Sequence, residues 1–138
     1  MSDSPMLTQR VDLHCLDAQG RSLDLPAELC YDPRDPWAVE FAFGRPREQV
    51  RWLIGRDLLL LGRTDPVGDG DVMVAPSIDE CGRAAVVLDL CSPNGRLLAQ
   101  ISTRELSSFL DRTIDAVPPG RESVDLDGLV AAFFSAAE

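Results

Sequence analysis

Apolar and polar positions alternate along most of this chain, and the alternation marks strands. Val11, Leu13 and Cys15 alternate with Asp12 and His14, the period of a strand with one buried face. Ala27 to Tyr31 is a shorter apolar run after Pro26, and two X-Pro steps in Asp32-Pro33-Arg34-Asp35-Pro36 then hold the chain extended or turning. Val39, Phe41 and Phe43 alternate with Ala38, Glu40 and Ala42, and Val50, Trp52 and Ile54 repeat the pattern. Residues 44–49 are too short a link for anything but a hairpin between these two strands. Asp71 to Ala75, Ala84 to Cys91 and Arg96 to Ile101 complete seven predicted strands. The last two flank Ser92-Pro93-Asn94-Gly95, where proline presets the first turn dihedral and asparagine and glycine accept the next positions.

One segment breaks the alternation before the chain's end. In Arg56-Asp57-Leu58-Leu59-Leu60-Leu61-Gly62, Asp57 can cap a short helical turn and Gly62 can end it in the left-handed region. Four consecutive leucines suit a buried strand equally well, so helix and strand both stay open. Thr64 to Gly70 reads as a loop.

After Ile101 the period becomes helical. Ser102-Thr103-Arg104-Glu105 has capping-box spacing, and Leu106, Phe109, Leu110, Ile114 and Val117 fall on one face. Val117-Pro118-Pro119-Gly120 is a hard stop, because neither proline can continue a helix. A second helix is expected from Asp125, with a stripe of Leu126, Leu129, Val130, Phe133 and Phe134. Strands on short links followed by two C-terminal helices indicate an α+β fold with a largely antiparallel sheet. Residues 1–138 read as a single domain, with 1–7 lacking any pattern and expected to fray.

Composition narrows the function. The chain has 13 basic and 23 acidic residues, a formal net charge of −10. Such a surface repels phosphate backbones and anionic membranes. The densest cationic group, Arg45, Arg47, Arg51 and Arg56, is interrupted by Glu48 and reads as a solvated face or a contact for an acidic partner. All the cations are arginine, so Schiff-base, phosphate-loop and general-base lysines are excluded. Cys15, Cys30, Cys81 and Cys91 form no CxxC pair and read as reduced, mostly buried thiols; with one histidine, no zinc site is expected. The longest apolar stretch, Leu129 to Ala137, is too short to cross a bilayer, and the N-terminus is not a signal peptide. A cytoplasmic protein is expected.

No catalytic constellation stands out. His14 and Cys15 are neighbours on a strand, so their side chains diverge, and no second histidine exists to serve a serine triad. Gly68-Asp69-Gly70-Asp71 lacks both calcium-loop spacing and the GxGxxG pattern, and reads as a turn entering a strand. Paired carboxylates of the glycosidase type cannot be located from sequence. Phe41, Phe43 and Trp52 lie on the expected core face, which leaves Trp37 as the one ring expected to be exposed.

An ordered set of short strings resembles the SsgA-like family of actinomycete sporulation and cell-division proteins. The strings are Tyr31-Asp32 with Asp35-Pro36-Trp37-Ala38-Val39; Trp52; Arg56-Asp57-Leu58-Leu59 with Gly62; Gly68-Asp69-Gly70-Asp71-Val72 with Val74 and Pro76; Ser92-Pro93 with Gly95; and Phe109-Leu110, Arg112-Thr113 and Val117-Pro118-Pro119-Gly120. The chain departs from the family at Trp37, where Tyr or Phe is usual, and in Ile78-Asp79-Glu80-Cys81-Gly82.

The resemblance implies a non-enzymatic factor in sporulation-specific septation, without cofactor or metal. The family positions or supports a tubulin-like division ring through protein contacts. It also implies a barrel-like sheet similar to the Whirly-type fold, a homotrimer, partners in the ring protein or other SsgA-like proteins, and recruitment to the septum. A single-stranded nucleic-acid-binding module is the alternative that fold likeness raises. The motif residues to follow in the structure are Tyr31, Asp35, Pro36, Trp52, Arg56, Asp57, Gly70, Asp71, Pro93, Gly95, Phe109, Leu110, Arg112, Thr113, Pro118, Pro119 and Gly120.

Overall fold

A computed structural model describes residues 5–122. Its elements are β1 (Leu7–Leu16), β2 (Ser22–Tyr31), β3 (Ala38–Phe43), β4 (Val50–Gly55), α1 (Arg56–Gly62), β5 (Val67–Asp69), β6 (Val72–Ile78), β7 (Ala84–Ser92), β8 (Gly95–Ser102) and α2 (Thr103–Ala116). The strands form one eight-stranded sheet in the order β4-β3-β2-β1-β8-β7-β6-β5. Every pairing is antiparallel, as short hairpin links require. The two halves join where β8 pairs with β1 over His14–Leu16.

The alternation becomes an inside and an outside. Val11, Leu13, Cys15, Leu29, Phe41, Ile54, Val74, Leu88, Ala99 and Ile101 are buried on the inner face. His14, Asp24, Glu40, Arg51, Asp89 and Arg96 sit outside and pair across strands: His14 with Asp24, Arg51 with Glu40, and Arg96 with Asp89. The sheet curls around the core, and α1 packs against β4, β5 and β6, so it bridges the two ends of the sheet. Helix α2 packs on β1, β7 and β8, beside the half of β1 that β8 does not reach. Gln9 Nε2 there donates to the Glu105 carbonyl at 3.2 Å. Both helices lie at one end of the curled sheet. The β1–β2, β5–β6 and β7–β8 turns rim the opposite end.

Several sequence expectations meet a different structure. Val67–Asp69, inside the expected loop, is a strand, so eight strands form instead of seven. The four-leucine segment is a helix, but Asp57 makes no capping hydrogen bond and Gly55 is the N-cap. Gly62 does not adopt a left-handed backbone. It is small for another reason: a Cβ at Gly62 would collide with Val74, reaching its Cβ at 2.6 Å. In α2, Ser102 caps as expected, with Oγ accepting from the Glu105 N–H at 3.1 Å. The buried stripe is Leu106, Phe109, Leu110 and Thr113; Ile114 is only half-buried, since Thr113 completes the helical spacing instead. The stop is as expected: Val117 turns extended ahead of Pro118. The second C-terminal helix, with its stripe from Leu126 to Phe134, lies outside the described residues, as do residues 1–4.

The turns follow their residues. The β5–β6 hairpin has the two-residue loop Gly70-Asp71, and Gly70 takes a φ of 62° that a side chain would resist. Pro93-Asn94 turns β7 into β8, where Ser92 Oγ accepts from the Asn94 N–H at 3.3 Å.

Candidate functional site

The helical end of the molecule is organised around one buried cation. Arg56 begins α1, and its side chain is 1% exposed. Its backbone N–H donates to the Trp37 carbonyl at 2.7 Å, which continues the β3–β4 ladder by one pair. The guanidinium then reaches into the space between the β2–β3 turn and the end of α2. Nη1 donates to the Tyr31 hydroxyl at 3.1 Å, to the Thr113 carbonyl at 3.1 Å and to the Val117 carbonyl at 2.6 Å. Nη2 donates to Glu122 Oε2 at 2.9 Å. The guanidinium also lies 5.5 Å from the centre of the Tyr31 ring, a cation–π distance.

Each neighbour is fixed in turn. The Tyr31 hydroxyl donates to the Pro36 carbonyl at 3.0 Å, so it passes the tie on to the proline-bounded turn. Burial pushes that hydroxyl's pKa up, and the Arg56 charge partly opposes the rise. Thr113 Oγ1 donates to the Leu110 carbonyl at 2.7 Å, inside α2. Glu122 Oε1 accepts from the Gly120 N–H at 2.6 Å and closes the turn after the two prolines. The Glu122 backbone N–H and then the Arg56 guanidinium hold its carboxyl below the usual value of 4.5. Helix ends leave carbonyls without intrahelical partners, and Arg56 serves that of Val117, just past α2, from another element, while it shares the Thr113 carbonyl with the Val117 N–H at 2.8 Å. Its Nε is the one buried side-chain polar atom without a hydrogen-bond partner among the described residues.

This geometry gathers Tyr31, Pro36, Arg56, Thr113 and the Pro118-Pro119-Gly120 turn. Phe109 and Leu110 support it as core residues of α2. Arg112 lies on the exposed side, donating to the Thr8 carbonyl at 3.1 Å with its guanidinium 5.8 Å from the Phe109 ring centre. Asp35 and Asp57 are exposed at the margins. Gly70, Asp71, Pro93 and Gly95 shape hairpins at the opposite end, and Trp52 packs half-buried on β4. Glu122 was not anticipated from the sequence, because nothing local marks a carboxylate that meets its partner 66 positions away.

A second arrangement also escaped the sequence. His14 Nδ1 lies 2.9 Å from Asp24 Oδ1, and Nε2 lies 3.2 Å from Ser22 Oγ. The order is that of a serine–histidine–aspartate relay. It sits on the outer face of the β1–β2 hairpin with the Asp24 side chain 81% exposed, so nothing excludes water from Ser22. Cys15, adjacent to His14, points inward, and burial pushes its thiol up to about 11, away from reactivity at neutral pH. Against the expectation of mostly buried thiols, it is the one buried cysteine: Cys30 is half-buried on β2, and Cys81 and Cys91 are exposed in and beside turns. Among the described residues no three His, Cys, Asp or Glu side chains converge as metal ligands, and no helix is long and apolar enough to cross a membrane.

The comparisons with known proteins agree with one another. The family model described as "Streptomyces sporulation and cell division protein, SsgA" matches residues 25–122. Sporulation-specific cell division protein SsgB of Streptomyces coelicolor is 46% identical over 107 residues, 77% of this chain and 77% of the relative. SsgB of Saccharopolyspora erythraea is 42% identical over 110 residues, 79% of this chain and 77% of the relative. A solved structure of an SsgA-like sporulation-specific cell division protein from Thermobifida fusca superposes with a TM-score of 0.83 at 33% identity, covering 96% of this chain and 98% of that one. A solved structure from work on SsgB mutations and longitudinal cell division in sporulating Streptomyces coelicolor gives 0.81 at 40% identity, covering 88% of this chain and 96% of that one.

Proposed function

We propose, because this chain belongs to the SsgA family of sporulation and cell division proteins, that it is a non-enzymatic assembly factor of sporulation-specific septation. It docks to other proteins and transforms no substrate. One observation carries the reading: the family match runs from β2 through Glu122 and so takes in every residue of the Arg56 tie. That tie spends a buried charge on holding four segments in register, which is a scaffold's requirement. The family-motif residues therefore act by shaping surfaces.

In this reading the chain is a cytoplasmic homotrimer recruited to the division septum. There it helps to position or support the ring of a tubulin-like division protein, directly or through other SsgA-like proteins. A fluorescent fusion in a sporulating actinomycete is expected to form regular bands that coincide with the division ring. The purified chain is expected to elute as a trimer by light scattering and to retain the purified ring protein on a column. A monomer at micromolar concentration together with diffuse fluorescence throughout septation would overturn the proposal.

A further inference from the structure

The curled sheet has a seam that its own elements close only halfway. Strands β4 and β5 are its two ends and do not pair with each other. Helix α1 fills the seam at the helical end. At the other end lies a cavity of about 520 Å³, with Leu23, Leu25, Phe43, Val50, Trp52 and Leu97 among its lining. These side chains point inward by register: Leu25 opposes Leu13, Val50 opposes Phe43, and Trp52 opposes Phe41. Yet Leu23 is 56% exposed and Val50 58%. Apolar side chains aimed at the interior of a sheet and left open to water lack a covering layer.

The strand beside this cavity has backbone groups that no other described strand pairs. The Arg56 N–H to Trp37 carbonyl bond makes that pair a hydrogen-bonded one. Pairs alternate in an antiparallel ladder, so Trp52 with Phe41 and Val50 with Phe43 are bonded pairs too. The N–H and C=O groups of Arg51 and Leu53 then point away from β3, toward the open edge. No described strand takes them up.

We propose that β4 and the half-open seam form a strand-addition site for an extended segment of a partner protein. The segment pairs with the backbone of Arg51 and Leu53. Its alternate apolar side chains enter the cavity between Val50 and Trp52 on one side and Leu97 on the other. Main-chain bonds supply affinity and the cavity supplies selection, the division of labour in β-augmentation. Charge fixes the partner's chemistry. Arg51 on the outer side of this edge is already neutralised by Glu40 and the whole chain carries −10, so a segment with basic residues at its outward positions is favoured over an acidic one.

The inference rests on the proposed docking role only for its purpose. Its test is made on the purified full-length chain, so either can fail alone. A Trp37→Phe background leaves Trp52 as the single tryptophan reporter, since the chain has two. The probe is a capped seven-residue peptide of alternating lysine and valine. Saturable change in Trp52 emission is expected, with amide exchange at Arg51 and Leu53 slowed about tenfold or more on binding. The same peptide N-methylated on the amides that would face β4 is expected not to bind. Val50→Lys, at an exposed position that folding does not need, is expected to weaken binding about tenfold. Equal binding of the N-methylated peptide would reduce the interaction to charge attraction and overturn the proposal. So would protection of the Arg51 and Leu53 amides in the free protein, which would mean that another part of the chain or a second copy already covers the edge.

Discussion

Arg56 shows how much of a fold one residue can hold. A buried guanidinium is costly unless its hydrogen bonds and its charge are met, and here Tyr31, the Thr113 and Val117 carbonyls and Glu122 take up Nη1 and Nη2, leaving only Nε without a partner among the described residues. Arg56→Met removes the cation and leaves the Glu122 carboxylate and the Val117 carbonyl without that partner, while the Thr113 carbonyl keeps the Val117 N–H. A clear loss of stability is expected, because the groups that meet the buried guanidinium lose it from one side. Arg56→Met with Glu122→Gln is expected to recover part of it; denaturant midpoints would measure both, and an unshifted Arg56→Met midpoint would contradict the tie. The pair also predicts an acid dependence. The folded pKa of Glu122 lies below its usual 4.5, so its stabilisation is complete above that value and is lost as pH falls through the lower folded value. The melting-temperature gap between the natural chain and Glu122→Gln should therefore stay constant down to about pH 5 and shrink in more acid solution. A gap that instead grew on acidification would assign the effect to another group.

Elements show where sequence suffices and where packing decides. The strands with strict alternation, and α2 with its cap and its proline stop, could be read directly because local chemistry and tertiary burial demand the same residues. Strand β5 could not, since Val67-Gly68-Asp69 carries loop residues and is a strand only because β6 offers it a partner. Helix α1 could not be separated from a strand because four leucines satisfy either period, and the choice is made by the two sheet ends it must bridge. The candidate site was legible as a set of residues but not as a place. Tyr31, Arg56 and Thr113 stood out singly, while their meeting and the part of Glu122 depend on how β2, α1 and α2 converge. Gly62 makes the same point in a form that can be measured. Its lack of a side chain serves the approach of α1 to Val74, not a turn. Gly62→Ala is thus expected to destabilise by about 1–3 kcal/mol through overpacking, although alanine is the better helix former. Val74→Ala in the same chain should make the two effects less than additive. Stabilisation by Gly62→Ala alone would show that the close approach is absent in solution.

For the molecule as a whole, charge and exposed rings decide between the two docking classes that its fold could serve. A strand platform for single-stranded nucleic acid needs cations along its groove and aromatic faces open to bases. Among the described residues Trp37 is the one exposed ring, at 49%, and it lies in a turn instead of on the sheet. Arg21, Arg34, Arg51, Arg56 and Arg96 are already in salt bridges with carboxylates. The remaining cations face an excess of acidic groups, for a net −10. A phosphate backbone approaching this surface meets repulsion at range, and carboxylates already hold five of the thirteen guanidinium groups it would need at contact. Fluorescence anisotropy of labelled single-stranded DNA and RNA is therefore expected to stay flat with micromolar protein, even at about 50 mM salt where phosphate contacts are strongest. Low salt is the decisive condition because true phosphate binding must appear there and weaken steeply as salt rises. A saturable signal with that slope would return nucleic acid to the list of partners; a flat titration leaves proteins as the partners for which this acidic, half-seamed sheet is suited.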